Sequence, residues 1–288
     1  MSGITVVIAT RNRRQELIRT LRHLHELTPP PPVVVVDNGS TDGTAQAVRK
    51  QFTGVMVLAL RRNYGAPARN LGVLAARTPY VAFSDDDSWW APGALQRAAA
   101  ALESHPRLGL VAARTLVGPA ERPDPVNPLL AASPLPRSPD APGPSVLGFL
   151  ACSVVLRRRA FCEVGGFSSL LFFMGEEQLL CYDLAAAGWD RAYLNDVVAH
   201  HHPSAHRPDA ERRRVAQLRN ALLTAVLRRP LRVVVAAVAA LARDSIHDAA
   251  ARKALRGALI RLPAALRQRA PLPAAVEEQV RMLEDGAR

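Results

Sequence analysis

Lysine is almost absent from this chain. Only Lys50 and Lys253 occur in 288 residues, so a formal net charge of +12 rests almost wholly on arginine. An arginine- and alanine-rich composition accounts for part of that excess. The rest is uneven, because residues 209–288 hold 16 Arg/Lys against 8 Asp/Glu, a local +8. A basic tail of this kind suits anionic lipid, nucleic acid or an acidic partner. Cysteine is scarce too. Cys152, Cys162 and Cys181 are odd in number and lack Cys-x-x-Cys spacing. That argues against a disulfide framework and a zinc site, and it fits a reducing compartment. No basic segment leads into a signal-like apolar stretch, since the chain goes straight into the strand-like run 4–9. The longest uninterrupted apolar run, 233–242, is too short to cross a bilayer. The expectation is a cytoplasmic protein, soluble or peripheral on the inner face of a membrane. No zinc-finger spacing, RNP-like aromatic motif or helix-turn-helix signal accompanies the positive charge, so no nucleic-acid partner is expected. Internal repeats are missing as well.

What is present is alternation. Strands are expected at 4–9, 33–36, 55–60, 80–83 and 108–113, with helices at 13–27, 44–51, 66–76 and 92–104 between them. Strands and helices of these lengths in alternation predict βαβ units, hence an α/β fold with a mostly parallel sheet flanked by helices. Such sheets bind ligands beyond the carboxyl ends of their strands. Three polar clusters fall there: Thr10-Arg11-Asn12, Asp37-Asn38-Gly39-Ser40 and Asp85-Asp86-Asp87. Residues 118–144 carry nine prolines and read as a long irregular loop, mobile or a lid. A strand at 146–156, a helix near 158–164, a Gly165-Gly166 break and a helix at 176–187 ended by Gly188 follow. The extended run 189–199 leads into His200-His201-His202. Beyond Pro208 the chain turns to Arg-rich helices. The expected division is a catalytic domain at 1–205 and a basic helical extension at 206–288.

The aspartate triplet carries the most chemistry. Carboxylates crowded at the end of a buried strand repel one another and need positive charge nearby. A divalent cation, Mn²⁺ or Mg²⁺, satisfies that need with oxygen ligands. In an extended stretch Asp85 and Asp87 point to one side and Asp86 to the other. The competing reading is a solvated acidic turn.

These motifs occur in an order that resembles family 2 glycosyltransferases. The resemblance runs from Val6-Val7-Ile8-Ala9-Thr10-Arg11-Asn12-Arg13 through Val35-Val36-Asp37-Asn38-Gly39-Ser40 and Arg62-Asn63-Tyr64-Gly65. It continues in Ala68-Arg69-Asn70-Leu71-Gly72, Phe83-Ser84-Asp85-Asp86-Asp87, Val164-Gly165-Gly166-Phe167 and Gly175-Glu176-Glu177. It implies a GT-A fold, a nucleotide-diphosphate sugar donor, a divalent metal and inversion at the anomeric carbon. By resemblance Thr10, Arg11, Asp37, Arg69, Asp85 and Asp86 hold the nucleotide sugar, with Asp37 taking the nucleobase and Arg69 lying near phosphate. Asp85 and Asp87 hold the metal, with His200 or His202 as the histidine that completes its site. Glu177 stands where the family has the second acid of a Glu-Asp pair and takes the general-base role, with Glu176 as the alternate. Here that acid is Glu, one methylene longer than Asp.

Blander readings stand beside these. Asp37 suits an Asx-type turn, Arg11 a solvated loop charge, Trp89-Trp90 ordinary packing, and the two glutamates a favourable first helical turn. The acceptor is a glycan, a lipid-linked sugar or a small molecule. The basic helices either contact a membrane peripherally or pack on the catalytic domain with a solvated face. A nucleotidyltransferase is the competing enzyme class, but it would place a Gly-rich loop where Thr10-Arg11-Asn12-Arg13 stands. A non-catalytic nucleotide- or nucleic-acid-binding protein is the other alternative.

Overall fold

The computed structural model describes residues 3–204 and 209–286. The chain opens with β1 (Ile4–Thr10), α1 (Arg14–Glu26), β2 (Val33–Asp37), α2 (Thr44–Gln51), β3 (Met56–Ala59), α3 (Ala68–Ala75) and β4 (Tyr80–Ser84). These four strands are parallel, in the order β3-β2-β1-β4. β1, β2 and β4 are near-continuous apolar runs because helices cover both faces of the sheet. One face packs against Leu17, Leu21 and Leu24, which α1 turns inward at i, i+4 and i+7. On the other face α3 lies so close that a Cβ on Gly72 would sit 2.4 Å from Val7 Cγ1.

The chain continues through β5 (Ser88–Trp90), α4 (Ala94–Ser104), β6 (Leu108–Val117), β7 (Arg122–Pro123), α5 (Val126–Ala131), β8 (Val154–Arg157), α6 (Arg158–Glu163), α7 (Glu176–Ala186) and β9 (Asp190–His201). The full sheet runs β3-β2-β1-β4-β8-β6-β9-β5, with β7 on β6. It is mixed: β8 lies antiparallel between β4 and β6, while β6 and β9 are again parallel. The strand expected at 108–113 therefore does not extend the first parallel block directly. Nor is 146–156 one strand. A turn closed by Ser153 N–H to Leu150 C=O at 2.9 Å leaves only Val154–Arg157 to pair. Residues 118–144 are packed down, with Leu130 and Leu135 buried. The Asn127 side chain satisfies both the N–H (3.0 Å) and the C=O (2.8 Å) of Thr115. Trp90 is buried, and Trp89 stacks on His23 with centroids 4.1 Å apart, so both tryptophans act in packing.

Four helices complete the chain: α8 (Ala210–Arg228), α9 (Leu231–Asp244), α10 (Ala249–Arg267) and α11 (Ala274–Gly286). The first three share a core with Leu171 and Leu179 through Leu222, Leu223, Val226, Leu241 and the alanines of α10. Val276 and Val280 of α11 return to the main core. Arg228 pairs with Asp183 of α7, and Arg229 lies between Glu277 and Glu284 of α11. This pair of arginines, a dense basic point in the sequence, is turned inward.

Candidate active site

The three polar clusters meet at the carboxyl ends of β1, β2 and β4. β1 and β2 pair in register, Thr10 opposite Asp37. The turn after β2 is tied to the loop after β1: Asn12 N–H donates to Ser40 Oγ at 2.9 Å, and Thr41 N–H to Asn12 Oδ1 at 2.8 Å. Asn12 takes the left-handed conformation there (φ 54°), which asparagine tolerates. Asp37 is buried, and its Oδ1 accepts from Ser40 N–H at 2.8 Å. That bond closes the Asn38-Gly39 turn on one carboxylate oxygen, and among the described residues no hydrogen bond reaches the other. Arg11 is exposed.

The aspartate triplet divides by direction. Asp86 points inward, accepting from Thr10 Oγ1 at 2.9 Å and pairing with Arg13 Nη1 at 3.3 Å. Burial, outweighing Arg13 and helped by the charges of Asp85 and Asp87, pushes its carboxyl up to about 7. Asp87 accepts from Ser204 N–H at 2.9 Å, pairs with Arg13 at 3.2 Å and lies 3.4 Å from His201 Nε2. Burial opposes its charge, but the bonds from His201 and Ser204, with the charges of His201 and Arg13, hold it below the usual range. Asp85 is half-exposed and pairs with Arg69 Nη2. Arg13 and Arg69 therefore supply much of the positive charge that three adjacent carboxylates require. Arg13 is the residue of its loop that reaches them, three positions past Thr10.

The strand phase of β9 settles which histidine faces these acids. His201 pairs in register with Ser88 and turns toward Asp87. His200 turns away, 3.3 Å from Glu121, and His202 lies against the Trp89 ring at 4.6 Å. Burial first, then neighbouring positive groups, lowers the His202 pKa; burial also lowers that of His200, against Glu121. Asp85, Cys152 and His201 each offer a ligand atom, all within 4.8 Å of one another. Carboxylate and imidazole are a donor set that fits a hard or borderline divalent metal. Cys152 suits it less: burial, then Asp85 and Asp87, keep its thiol well above the usual range and so protonated.

The glutamates reach the site from α7. Asp85, Glu176 and Glu177 together hold the buried Arg69 guanidinium charged, although burial alone would favour its loss of a proton. Arg69 Nε and Glu176 Oε2 are buried without a hydrogen-bond partner among the described residues. Unused buried polar atoms facing a crevice are features of a binding site. Glu176 is buried and Glu177 half-buried. Burial, reinforced by Glu177, pushes Glu176 up to about 8; burial also raises Glu177.

The loop before α7 is held in an unusual shape. Phe172 (φ 64°) and Met174 (φ 77°) are left-handed without being glycine. Ala66 N–H donates to Phe172 C=O at 2.7 Å, an approach so tight that a Cβ on Gly65 would lie 2.1 Å from that oxygen. From the other side Asn220 of α8, itself buried, donates through Nδ2 to the carbonyls of Leu171 (2.9 Å), Phe173 (2.7 Å) and Met174 (2.6 Å). No sequence motif marks Asn220, because its partners lie over forty positions away.

A raised Glu176 pKa has a consequence for stability. Between the ordinary value of 4.5 and about 8 the folded chain holds a proton that the unfolded chain releases. Stability is then greatest below that range and falls as pH rises through it. Glu176→Gln is expected to raise the urea midpoint relative to wild type at pH 8, by a margin that shrinks toward pH 5. The same margin at both pH values would refute the buried-carboxylate reading.

A mixed sheet with acids, arginines and a histidine at its strand ends, and a glutamate pair opposite, defines a glycosyltransferase of the GT-A type. Solved structures with this fold include the mannosyltransferase PcManGT of Pyrobaculum calidifontis in complex with GDP-Man and Mn²⁺, at TM-score 0.61 and 20% identity. That match covers 98% of this chain and 86% of the other. Staphylococcus aureus TarS 1-349 with UDP-GlcNAc matches at TM-score 0.57 and 20% identity over 77% and 66% of the two chains. The Glycosyl transferase family 2 model matches residues 5–165, and the chain belongs to that family. Among its relatives, the N-acetylglucosaminyl-diphospho-decaprenol L-rhamnosyltransferase of Mycobacterium tuberculosis (strain H37Rv) is 31% identical over 239 residues. The match covers 69% of this chain and 76% of the relative. The pre-mycofactocin glycosyltransferase of the same organism is 33% identical over 213 residues, 69% of this chain and 43% of the relative. The chain is an enzyme of sugar transfer.

Proposed function

We propose that this transferase moves a sugar, with inversion, from a nucleotide-diphosphate donor to a hydroxyl of an acceptor carried on a lipid diphosphate. The observation that carries the reading is the meeting of Asp37, Arg69, Asp85, Asp87 and Glu177 at one edge of the sheet. The similarity to a diphospho-decaprenol rhamnosyltransferase favours the lipid-linked acceptor, and with it work at a membrane surface. No helix among the described residues is long and apolar enough to cross a membrane.

In this reading the free oxygen of Asp37 accepts from the nucleobase, beside Thr10 and Arg11. Arg69 presents its guanidinium to the donor diphosphate, a geometry suited to phosphate oxygens. Asp85 and Asp87 would hold Mn²⁺ or Mg²⁺, with His201 in the histidine role in place of His200 or His202. Such an ion stabilises the charge that grows on the departing diphosphate. Glu177 accepts the proton of the acceptor hydroxyl as that oxygen bonds to the anomeric carbon. The bond from that carbon to the diphosphate breaks on the opposite face, and the proton passes from Glu177 to solvent. Glu176, deeper and protonated over the neutral range, lies beside Arg69 and helps to orient it.

The test is calorimetric titration with a panel of nucleoside diphosphates, with Mn²⁺, with Mg²⁺ and with EDTA. Wild type is expected to bind one nucleotide in a metal-dependent way, and Asp85→Asn/Asp87→Asn to lose roughly tenfold or more in affinity as its metal ligands go. No binding of any nucleotide under any of these conditions would overturn the reading.

A further inference from the structure

The two middle helices of the C-terminal block carry large aliphatic side chains on a solvent face as well as on the core face. A surface helix normally buries its large aliphatic residues and shows charge to water. In α10 the buried residues are all small: Ala250, Ala251, Ala254, Ala258 and Ala265. Leu255 and Leu262 lean on the core, while Leu259, Ile260 and Leu266 face out, 56%, 79% and 56% exposed. With Pro263 they fall at i, i+1, i+4 and i+7, a single helical face. α9 repeats the pattern. Leu241 is its one buried residue, while Leu231 (69%), Val235 (66%) and Val238 (41%), again at i, i+4 and i+7, are exposed. The turn at 245–248 folds α9 and α10 into a hairpin, whose arms run in opposite directions. The end of α10 returns to the start of α9, since Arg269 donates to Arg229 C=O at 2.7 Å and Ala270 N–H to Leu227 C=O at 2.9 Å, so the exposed aliphatics of both helices lie in the halves away from the turn.

The same hairpin is basic. Residues 231–267 hold seven Arg/Lys against two Asp. Arg232 and Arg243 on α9, and Arg252, Arg256 and Arg267 on α10, are exposed. Asp248 is already engaged by Arg214. Two copies of this face set against each other would oppose like charges. An anionic bilayer meets both halves of the chemistry: its acyl boundary takes Leu and Ile, and its headgroups take arginines whose stems lie along apolar surface.

We infer that the α9–α10 hairpin is a docking face for an anionic lipid surface, on which the chain rests without crossing it. The inference gives a location to the lipid-linked acceptor reading and deepens it.

Flotation of the full chain with vesicles of phosphatidylcholine, alone or mixed with phosphatidylglycerol, tests it. Wild type is expected to float with the mixed vesicles and to be released by high salt. Leu259→Gln/Ile260→Gln is expected to weaken binding by roughly tenfold or more, since two buried aliphatic side chains are lost. The substituted positions are exposed, so circular dichroism should be unchanged. Arg252→Gln/Arg256→Gln should weaken binding and flatten its salt dependence. Wild type that does not float, or a Gln variant that binds equally, overturns the inference. Lipid-free dimerisation abolished by the same apolar substitutions would assign the face to a second copy instead. Nucleotide titration of each variant keeps the two readings apart: retained nucleotide binding without flotation removes the docking face and leaves the donor site standing.

Discussion

Glu177→Gln is expected to leave nucleotide and metal binding intact while slowing sugar transfer by roughly 10²–10⁴-fold, the usual contribution of a general base. Gln keeps the length and hydrogen-bonding reach of Glu but cannot take a proton. The effect should fall on kcat with little change in donor affinity, because in the proposed reading Glu177 serves the acceptor hydroxyl while Asp37 and Arg69 hold the donor. Single-turnover kinetics with calorimetry on the same preparation measure both quantities. Glu176→Gln is the control. Glu176 is buried, and its removal should act mainly on donor affinity through Arg69. Full activity in Glu177→Gln beside an inactive Glu176→Gln would exchange the two roles.

Arg229→Met should destabilise the fold by about 3–5 kcal/mol, because it strands a buried carboxylate. Arg229 and Glu277 have side chains only 7% and 5% exposed, joined at 2.8 Å, and a second bond reaches Glu284 at 2.6 Å. Removing the cation leaves Glu277 in the interior with, among the described residues, only the partly exposed Arg281 paired to it, at 3.6 Å. Against a total of about 5–15 kcal/mol for a typical domain, that loss is large. Arg229→Met/Glu277→Leu should recover much of it, since an apolar pair of similar volume needs no partner. Urea unfolding of wild type, single and double variants gives the comparison. A double variant no better than the single would contradict the stranded-charge account.

The sheet's first half was open to reading from the chain alone. Valine runs ending in Asp37, and an apolar run ending in Asp85, declare strand and site together, because a buried strand must be apolar until its last residue meets the crevice. β8 was not legible. Residues 146–156 look uniform, and only the turn at 150–153, fixed by contacts to distant strands, shortens them. Three consecutive histidines on an extended segment reveal their alternation but not their phase, which the pairing of Ser88 with His201 sets. The charge argument for a metal does not foresee the arginines, since Arg13 comes from the loop after β1 to Asp86 and Asp87 and Arg69 from α3 to Asp85. The long-range contacts of Asn220 leave no local trace.

That asparagine bears on modularity. An amide has two hydrogens, and here they are spread over three carbonyls of the loop that delivers Glu176 and Glu177. The group they come from belongs to the C-terminal block, so the loop before α7 is held in shape by the appended helices. A fragment ending near residue 205 lacks the clamp. A chimera that borrows its last helices from a relative works only if the donor segment brings an equivalent amide to the same carbonyls. The shape of the loop before α7 and the sequence of the C-terminal block are therefore expected to change together.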